Sequence, residues 1–199
     1  MASQTRNPSV DSEIVRGGAV AFSWVSASGQ DQTTNDTDRF TSPGLASGGQ
    51  YTHYAHAKDF GFSFGASETI TSVRATIKAR KSASGGATLV LDDVRLVVGG
   101  SVTGANGATA NVLPSSDGDT VVDFTGLAIP AASVNASTFG LAISVGCSVG
   151  GTSRQAEINQ VTLEATSAGM VPGPGGGSAT GANMGASVVV RPPAAHRMR

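Results

Sequence analysis

Only one cysteine, Cys147, stands in the 199 residues, so no disulfide can form within the chain. Aromatic residues are scarce, at 5%, with a single tryptophan and two tyrosines, which leaves little for platforms that stack on sugars or unpaired bases. Charged residues make up 14%, against about 25% in an average soluble protein. The formal net charge is −1, so no global field draws the chain to nucleic acid or an acidic membrane surface, and neither is an expected partner. No apolar run approaches the ~18 residues of a membrane span. The opening MASQTRNPSVDSEIV lacks the apolar segment of a secretory leader, which predicts synthesis in a cytoplasm. Helical periodicity is nearly missing too; its one candidate is a single turn opened by Pro130 in PAASVNAS.

What fills the chain instead is Ala, Ser, Thr, Val and 27 glycines, a composition suited to short strands and tight turns. In ITSVRATIKAR, Val73, Ala75, Ile77 and Ala79 alternate with Arg74, Thr76, Lys78 and Arg80, the period of a strand with one buried face. In STFGLAISV, Phe139, Leu141, Ile143 and Val145 form one face. LVLDDVRLVV changes phase: Leu89 and Leu91 share one register, Val94, Leu96 and Val98 the other, which predicts a bulge or a strand end at Asp92-Asp93. AEINQVTLEAT breaks phase in the same way after Ile158. Gly-rich turns punctuate these runs at Ser84-Gly85-Gly86, Gly99-Gly100, Asp117-Gly118-Asp119 and Gly150-Gly151. The expected fold is therefore all-β, an antiparallel β-sandwich of jelly-roll type with extended N- and C-terminal arms. Residues 1–45 read as an N-terminal extension, 46–167 as the sandwich domain, and 168–199 as a Gly/Pro-rich C-terminal arm.

No pattern that carries catalysis or ligand binding survives its context. GCSVG, from Gly146 to Gly150, has the G-x-S-x-G spacing of a nucleophile elbow, but a return strand, not a helix, is expected after it, and the only downstream histidine is His196. His53 and His56 would point to opposite faces of a strand, which makes them surface or interface residues and not paired metal ligands. Asp92-Asp93 and Asp117-Gly118-Asp119 offer carboxylates without a full calcium loop. Arg74, Lys78, Arg80 and Lys81 form a basic stripe without interleaved aromatics, which reads as a solvated sheet face. Asn35-Asp36-Thr37 and Asn135-Ala136-Ser137 match glycosylation sequons in a chain with no visible leader. No catalytic, cofactor-binding or metal-binding residues are assigned, no cofactor is expected, and the chain is not read as an enzyme.

The segment DFGFSFGASETITSVRATIKARKSASGGATLVLDDVRLVVGGSVTGAN resembles a jelly-roll β-sandwich domain that recurs in virion structural proteins of tailed bacteriophages. There an FGF enters a Gly-Ala turn, followed by an I-x-x-V-x-x-x-I strand and a VRLV-x-GG-x-x-x-G-x-N hairpin. PAASVNASTFGLAISVGCSVGGTSRQAEINQVTLEAT resembles the closing part of the same domain, with Phe124 where the family usually places a tryptophan before the P-A turn. The shared motifs mark turns and core positions, not a catalytic site. The resemblance implies a structural component of a tailed phage or phage-like particle, a capsid decoration or minor head or vertex protein located in the virion. Its implied partners are other virion proteins and further copies of itself, a trimer among the symmetries considered. The alternative is a receptor- or carbohydrate-binding module of a tail fibre or baseplate.

The last stretch carries its own expectation. Residues 165–199 hold seven glycines and four prolines, too little apolar surface to offset the entropy of ordering them. Yet Ser187, Val188, Val189 and Val190 form a β-branched run able to add to a sheet edge. Arg191, Arg197 and Arg199 follow it, with Pro192-Pro193 to stop the pairing. These seven residues are the expected partner contacts.

Overall fold

The computed structural model describes residues 1–18, 21–25 and 39–168. In chain order its elements are β1 (Ser3–Arg6), β2 (Val10–Ile14), β3 (Ala21–Phe22), β4 (Phe40–Thr41), β5 (Tyr51–Thr52), β6 (Tyr54–Lys58), β7 (Thr69–Lys81), β8 (Thr88–Val98), β9 (Ser101–Thr103), β10 (Gly118–Pro130), α1 (Ala131–Val134), β11 (Gly140–Val149) and β12 (Ala156–Ser167). Among the described residues, β1, β12, β7 and β10 pair in that order in one sheet, with β4 also on β12. The other sheet centres on β11, with β6 and β5 on one side and β8, then β9, on the other. β2 extends it beyond β6, and β3 beyond β5. The fold is a β-sandwich, as the alternation predicts.

Between the sheets lies one large core. Val73, Ala75, Ile77 and Ala79 of β7 meet Leu141, Ile143 and Val145 of β11, all buried, with Phe139 and Leu163 beside them. β11 is buried on both faces because it is central. On its outer face only small residues fit: a Cβ at Gly140 would sit 2.1 Å from the carbonyl oxygen of Ala57. Ala142, also on that face, packs with Tyr54 and Val97 in a small second cluster.

Both phase breaks in the sequence are bulges. In the β8–β11 ladder Asp93 pairs with Ser144 and Leu91 with Val145, so Asp92 is the extra residue. It allows Leu89 and Leu91 on one side, and Val94 and Leu96 on the other, all to reach the core. Asn159 does the same in β12, letting Ile158 and Val161 both point inward. The predicted single turn is α1, with Pro130 at φ −59° before it and the amide of Asn135 donating to Ala131 O at 2.8 Å. Asn135 then pins the FGF segment, its Oδ1 accepting from the amide of Phe64 and its Nδ2 donating to the same residue's carbonyl. The sequon asparagine is thus a structural clamp.

The boundary at residue 45 is not where the sandwich begins. β1 adds to β12, β2 to β6, and β4 to β12, so both sheets take strands from the first 45 residues. Trp24 and Phe40 are buried edge to face, with centroids 5.9 Å apart. SQTR in β1 shows no apolar alternation because it joins through backbone pairing, with little of its surface buried. Asn35-Asp36-Thr37, and the expected contacts Ser187 to Val190, Arg191, Arg197 and Arg199, lie outside the described residues.

Candidate functional site

Two surface regions stand apart from the solvated sheet faces. The first is an apolar cleft at the open side of the sandwich. Val98 and Ser101 close the β8–β9 hairpin over Gly99 and Gly100, whose φ values of 60° and 79° are those of a two-residue turn that only glycine enters freely. The chain then folds back through Asn106, whose Oδ1 accepts from the amides of Val94 and Ala108 at 2.8 Å each. Gly107 follows, so close to β10 that a Cβ would sit 2.5 Å from Val122 and 2.9 Å from Phe124. Gly104 and Asn106 therefore build one wall of this cleft.

β10 builds the other. It pairs with β7 along one edge, and among the described residues nothing pairs with its second edge over 13 residues. Between Thr125 and Ile129 its register slips, with Gly126 at φ +66°, so that Gly126, Leu127 and Ala128 oppose Thr71 alone. The bulge carries Leu127 into the cleft lining. The cavity has a volume of about 520 Å³, lined on its apolar sides by Leu96, Val98, Phe124, Leu127, Ile129 and Pro130. Val98, Phe124, Leu127 and Ile129 pack against the core yet keep part of their surface exposed, so the core's uncovered rim gathers here. Further along β10, Val121 is 52% exposed between Asp119 and Asp123.

The second region is polar, on the outer face of the β11 sheet. The Asp92 bulge turns two consecutive carboxylates to that face, and Arg16 takes both: Nη1 donates to Asp92 at 2.5 Å and Nη2 stands 3.7 Å from Asp93. Nη1 also donates to Ser144 Oγ at 2.7 Å, and the guanidinium lies 4.3 Å from the Tyr51 ring centroid. Asp93, only 5% exposed, accepts from Tyr54 Oη and Arg95 Nε, each at 2.8 Å. Burial first, and that hydrogen bond second, push the Tyr54 hydroxyl's pKa up. A depression of about 390 Å³ opens beside Arg16, Tyr51 and Asp92. Sequence reasoning treated Asp92-Asp93 as a candidate ion site and missed Arg16, 76 residues earlier, which nothing in its local pattern marks.

The remaining candidates resolve as structure. GCSVG lies in β11 and runs into the return to β12; Ser148 is a bulge residue whose Oγ donates to Thr88 O at 3.3 Å. Cys147 is buried in the core cluster, which raises its thiol pKa. His56 is a correction: it is not at the surface but buried in β6, with Nδ1 3.3 Å from Ser12 Oγ. Burial, then the nearby Lys58 charge, lower its pKa to about 4. The basic stripe is partly paired, Arg74 with Asp123 at 2.7 Å and Arg80 with Glu157 at 2.8 Å. Asp117 accepts from Arg39 at 3.0 Å and anchors the entry to β10 instead of making a free turn. Among the described residues no group of three or more His, Cys, Asp or Glu could hold a metal ion, and no helix is long and apolar enough to cross a membrane.

No family model matches this chain, and no curated protein matches it. A solved structure described as "CBM4 structure and function" aligns over 69% of this chain and 92% of its own, at 16% identity and a TM-score of 0.34. A likeness at that level carries no argument about function. Among the described residues the chain is a β-sandwich with an apolar cleft beside a strand edge that no other strand pairs.

Proposed function

We propose that this chain is a structural component of a tailed-phage or phage-like particle, a capsid decoration or minor head or vertex protein that acts by protein–protein assembly. The observation that carries the reading is the second edge of β10, which nothing pairs among the described residues, beside a cleft where the core's own rim is exposed. A strand edge offers backbone donors and acceptors to a further strand, and the cleft offers pockets for its alternate side chains. The motif residues that carry the sequence resemblance support the same reading, since Gly104 and Asn106 line this cleft and Gly99-Gly100 turn the hairpin beside it. The partners in this reading are neighbouring virion subunits and further copies of the chain. The contact elements are the β10 edge and the segment Ser187–Val190 with Arg191, Arg197 and Arg199.

Quantitative mass spectrometry of a purified particle tests it. Many copies in fixed ratio to the shell protein are expected; absence from the particle overturns it. The receptor- or glycan-binding alternative would use the depression beside Tyr51. Arg16 already covers one face of that ring, and the Tyr51 hydroxyl donates to Gly17 O at 3.1 Å, which weighs against stacking on a sugar there.

A further inference from the structure

β10 ends its sheet among the described residues, and the side chains along it show which strand suits that edge. Its ladder with β7 is regular from Gly118 to Thr125, and the slip at Gly126 bends the strand beyond. The straight part on which a further strand can lie is therefore residues 118–125. Its outer face carries Asp119, Val121, Asp123 and Thr125, of which Val121 is the large apolar one, 52% exposed. Each carboxylate already has a base on β7. Arg74 donates to Asp123 at 2.7 Å, and Lys78 stands opposite Asp119 in the ladder. The edge is thus close to neutral, and nothing in its charge calls for a basic partner.

Resting on the reading of the β10 side as a protein-binding surface, we infer that the strand it takes is β10 of a second copy, laid antiparallel across a twofold axis through Val122. A twofold normal to a sheet keeps each residue on its own face, so the axis passes through a residue and its copy. Two positions use most of the straight run. An axis at Val121 sets Asp119 opposite Asp123 twice over, and like charges directly opposite destabilise a ladder. An axis at Val122 sets Asp119 opposite Thr125, Thr120 opposite Phe124 and Val121 opposite Asp123, so no carboxylate faces another. Each Asp123 then lies between its own Arg74 and the other copy's Val121, and each Asp119 between its own Lys78 and the other copy's Thr125. On the inner face Val122 meets its copy, and the partly exposed Phe124 gains a neighbour. The midpoint of the straight run is also where the charges agree. Joining two β10 edges uses up both, so the pair closes and no open row of chains grows from it.

Disulfide trapping and sedimentation of the full-length chain test this. Directly opposite residues of an antiparallel pair have Cα atoms about 4.5–5.5 Å apart, within the span of a disulfide. Val121→Cys and Asp123→Cys both fall at exposed positions, while native Cys147 is buried. An equimolar mixture of the two variant chains, mildly oxidised, should give the mixed dimer as its main crosslinked product. A main product of either chain with itself overturns the Val122 axis. Sedimentation of the unaltered chain should show a dimer. Val121→Asp, which sets a carboxylate opposite the other copy's Asp123, should weaken it at least tenfold in Kd with unchanged circular dichroism. A chain that stays monomeric across the micromolar range overturns the inference, because the edge is then taken within the chain or left to a different protein. Equal dimerisation of Val121→Asp overturns it too. The outcome is separable from the assembly reading: a dimer whose chain is absent from purified particles defeats that reading and leaves the pair standing. A monomeric chain that crosslinks from Ala128 to the shell protein in the particle does the reverse.

Discussion

The Arg16 face and the β10 cleft are built by the same device and come out opposite. In each, a bulge turns extra side chains outward, at Asp92 in β8 and at Gly126–Ala128 in β10. The residues at the first are acidic and are met by Arg16, Tyr54 and Arg95, so the region is saturated within its own chain. At the second the side chain turned out is Leu127, and the backbone beyond it has no strand to pair with among the described residues. A surface whose groups are all satisfied has little to gain from a partner. One that leaves apolar rim and strand edge open gains from both.

Substitutions should separate the regions by size of effect. The core beneath both sets the upper limit: Phe139→Ala is expected to cost about 3–5 kcal/mol, and Thr76→Ala, on the half-exposed face of β7, within about 0.5 kcal/mol. Equal small losses in denaturant midpoints would break the assigned register. Next comes Arg16→Ala, which strips a charged partner from buried Asp93 and should cost about 2–3 kcal/mol. A loss no larger than that at Thr76 would show the network to be solvated.

The pH response should report a second buried polar group. His56 is held neutral in the folded state down to about pH 4, whereas an unfolded histidine takes up its proton near 6.5. Stability is then full above about 6.5 and declines as pH falls through that value toward 4. Carboxylates that accept hydrogen bonds, Glu68 from Ser167 and Asp123 from Arg74, have lowered pKa values and add their loss only further down. Urea midpoints between pH 7.5 and 5 should slope in the unaltered chain and flatten in His56→Gln. An equal slope in both would move the titrating group elsewhere.

The smallest effect on stability belongs to the cleft. Leu127→Lys places a long side chain at a half-exposed rim, where its stem can lie on the apolar wall and its charge in water, at a cost under about 1 kcal/mol. Calorimetry of the isolated chain should show it nearly unchanged. A large drop in melting temperature would mean the cleft is core, not surface.

How much of this was legible in the sequence follows from what each feature is made of. Strict alternation put β7 and β11 on paper, and the phase breaks around Asp92 and Ile158 located two bulges, because period-two burial leaves a local signature. β1 and β2 left none: they attach by backbone pairing to β12 and β6, so residues 1–45 read as an extension. His56 looked like a surface residue because the cover over it comes from β2, whose partner cannot be read locally. The cleft was equally hidden. Its glycines and Asn106 were visible as turn chemistry, but that they face Phe124 and Leu127 is a matter of which strand ends the sheet among the described residues.

The central claim is that the β10 side, and not the Arg16 face, contacts the neighbouring subunit. Photo-crosslinking in the assembled particle tests it most directly, with a photoreactive residue placed at Ala128 in the cleft or at Val15, 74% exposed beside Arg16. Crosslinks to a neighbouring subunit from Ala128, with few or none from Val15, are the result expected. Crosslinks from Val15 with none from Ala128 would contradict the account.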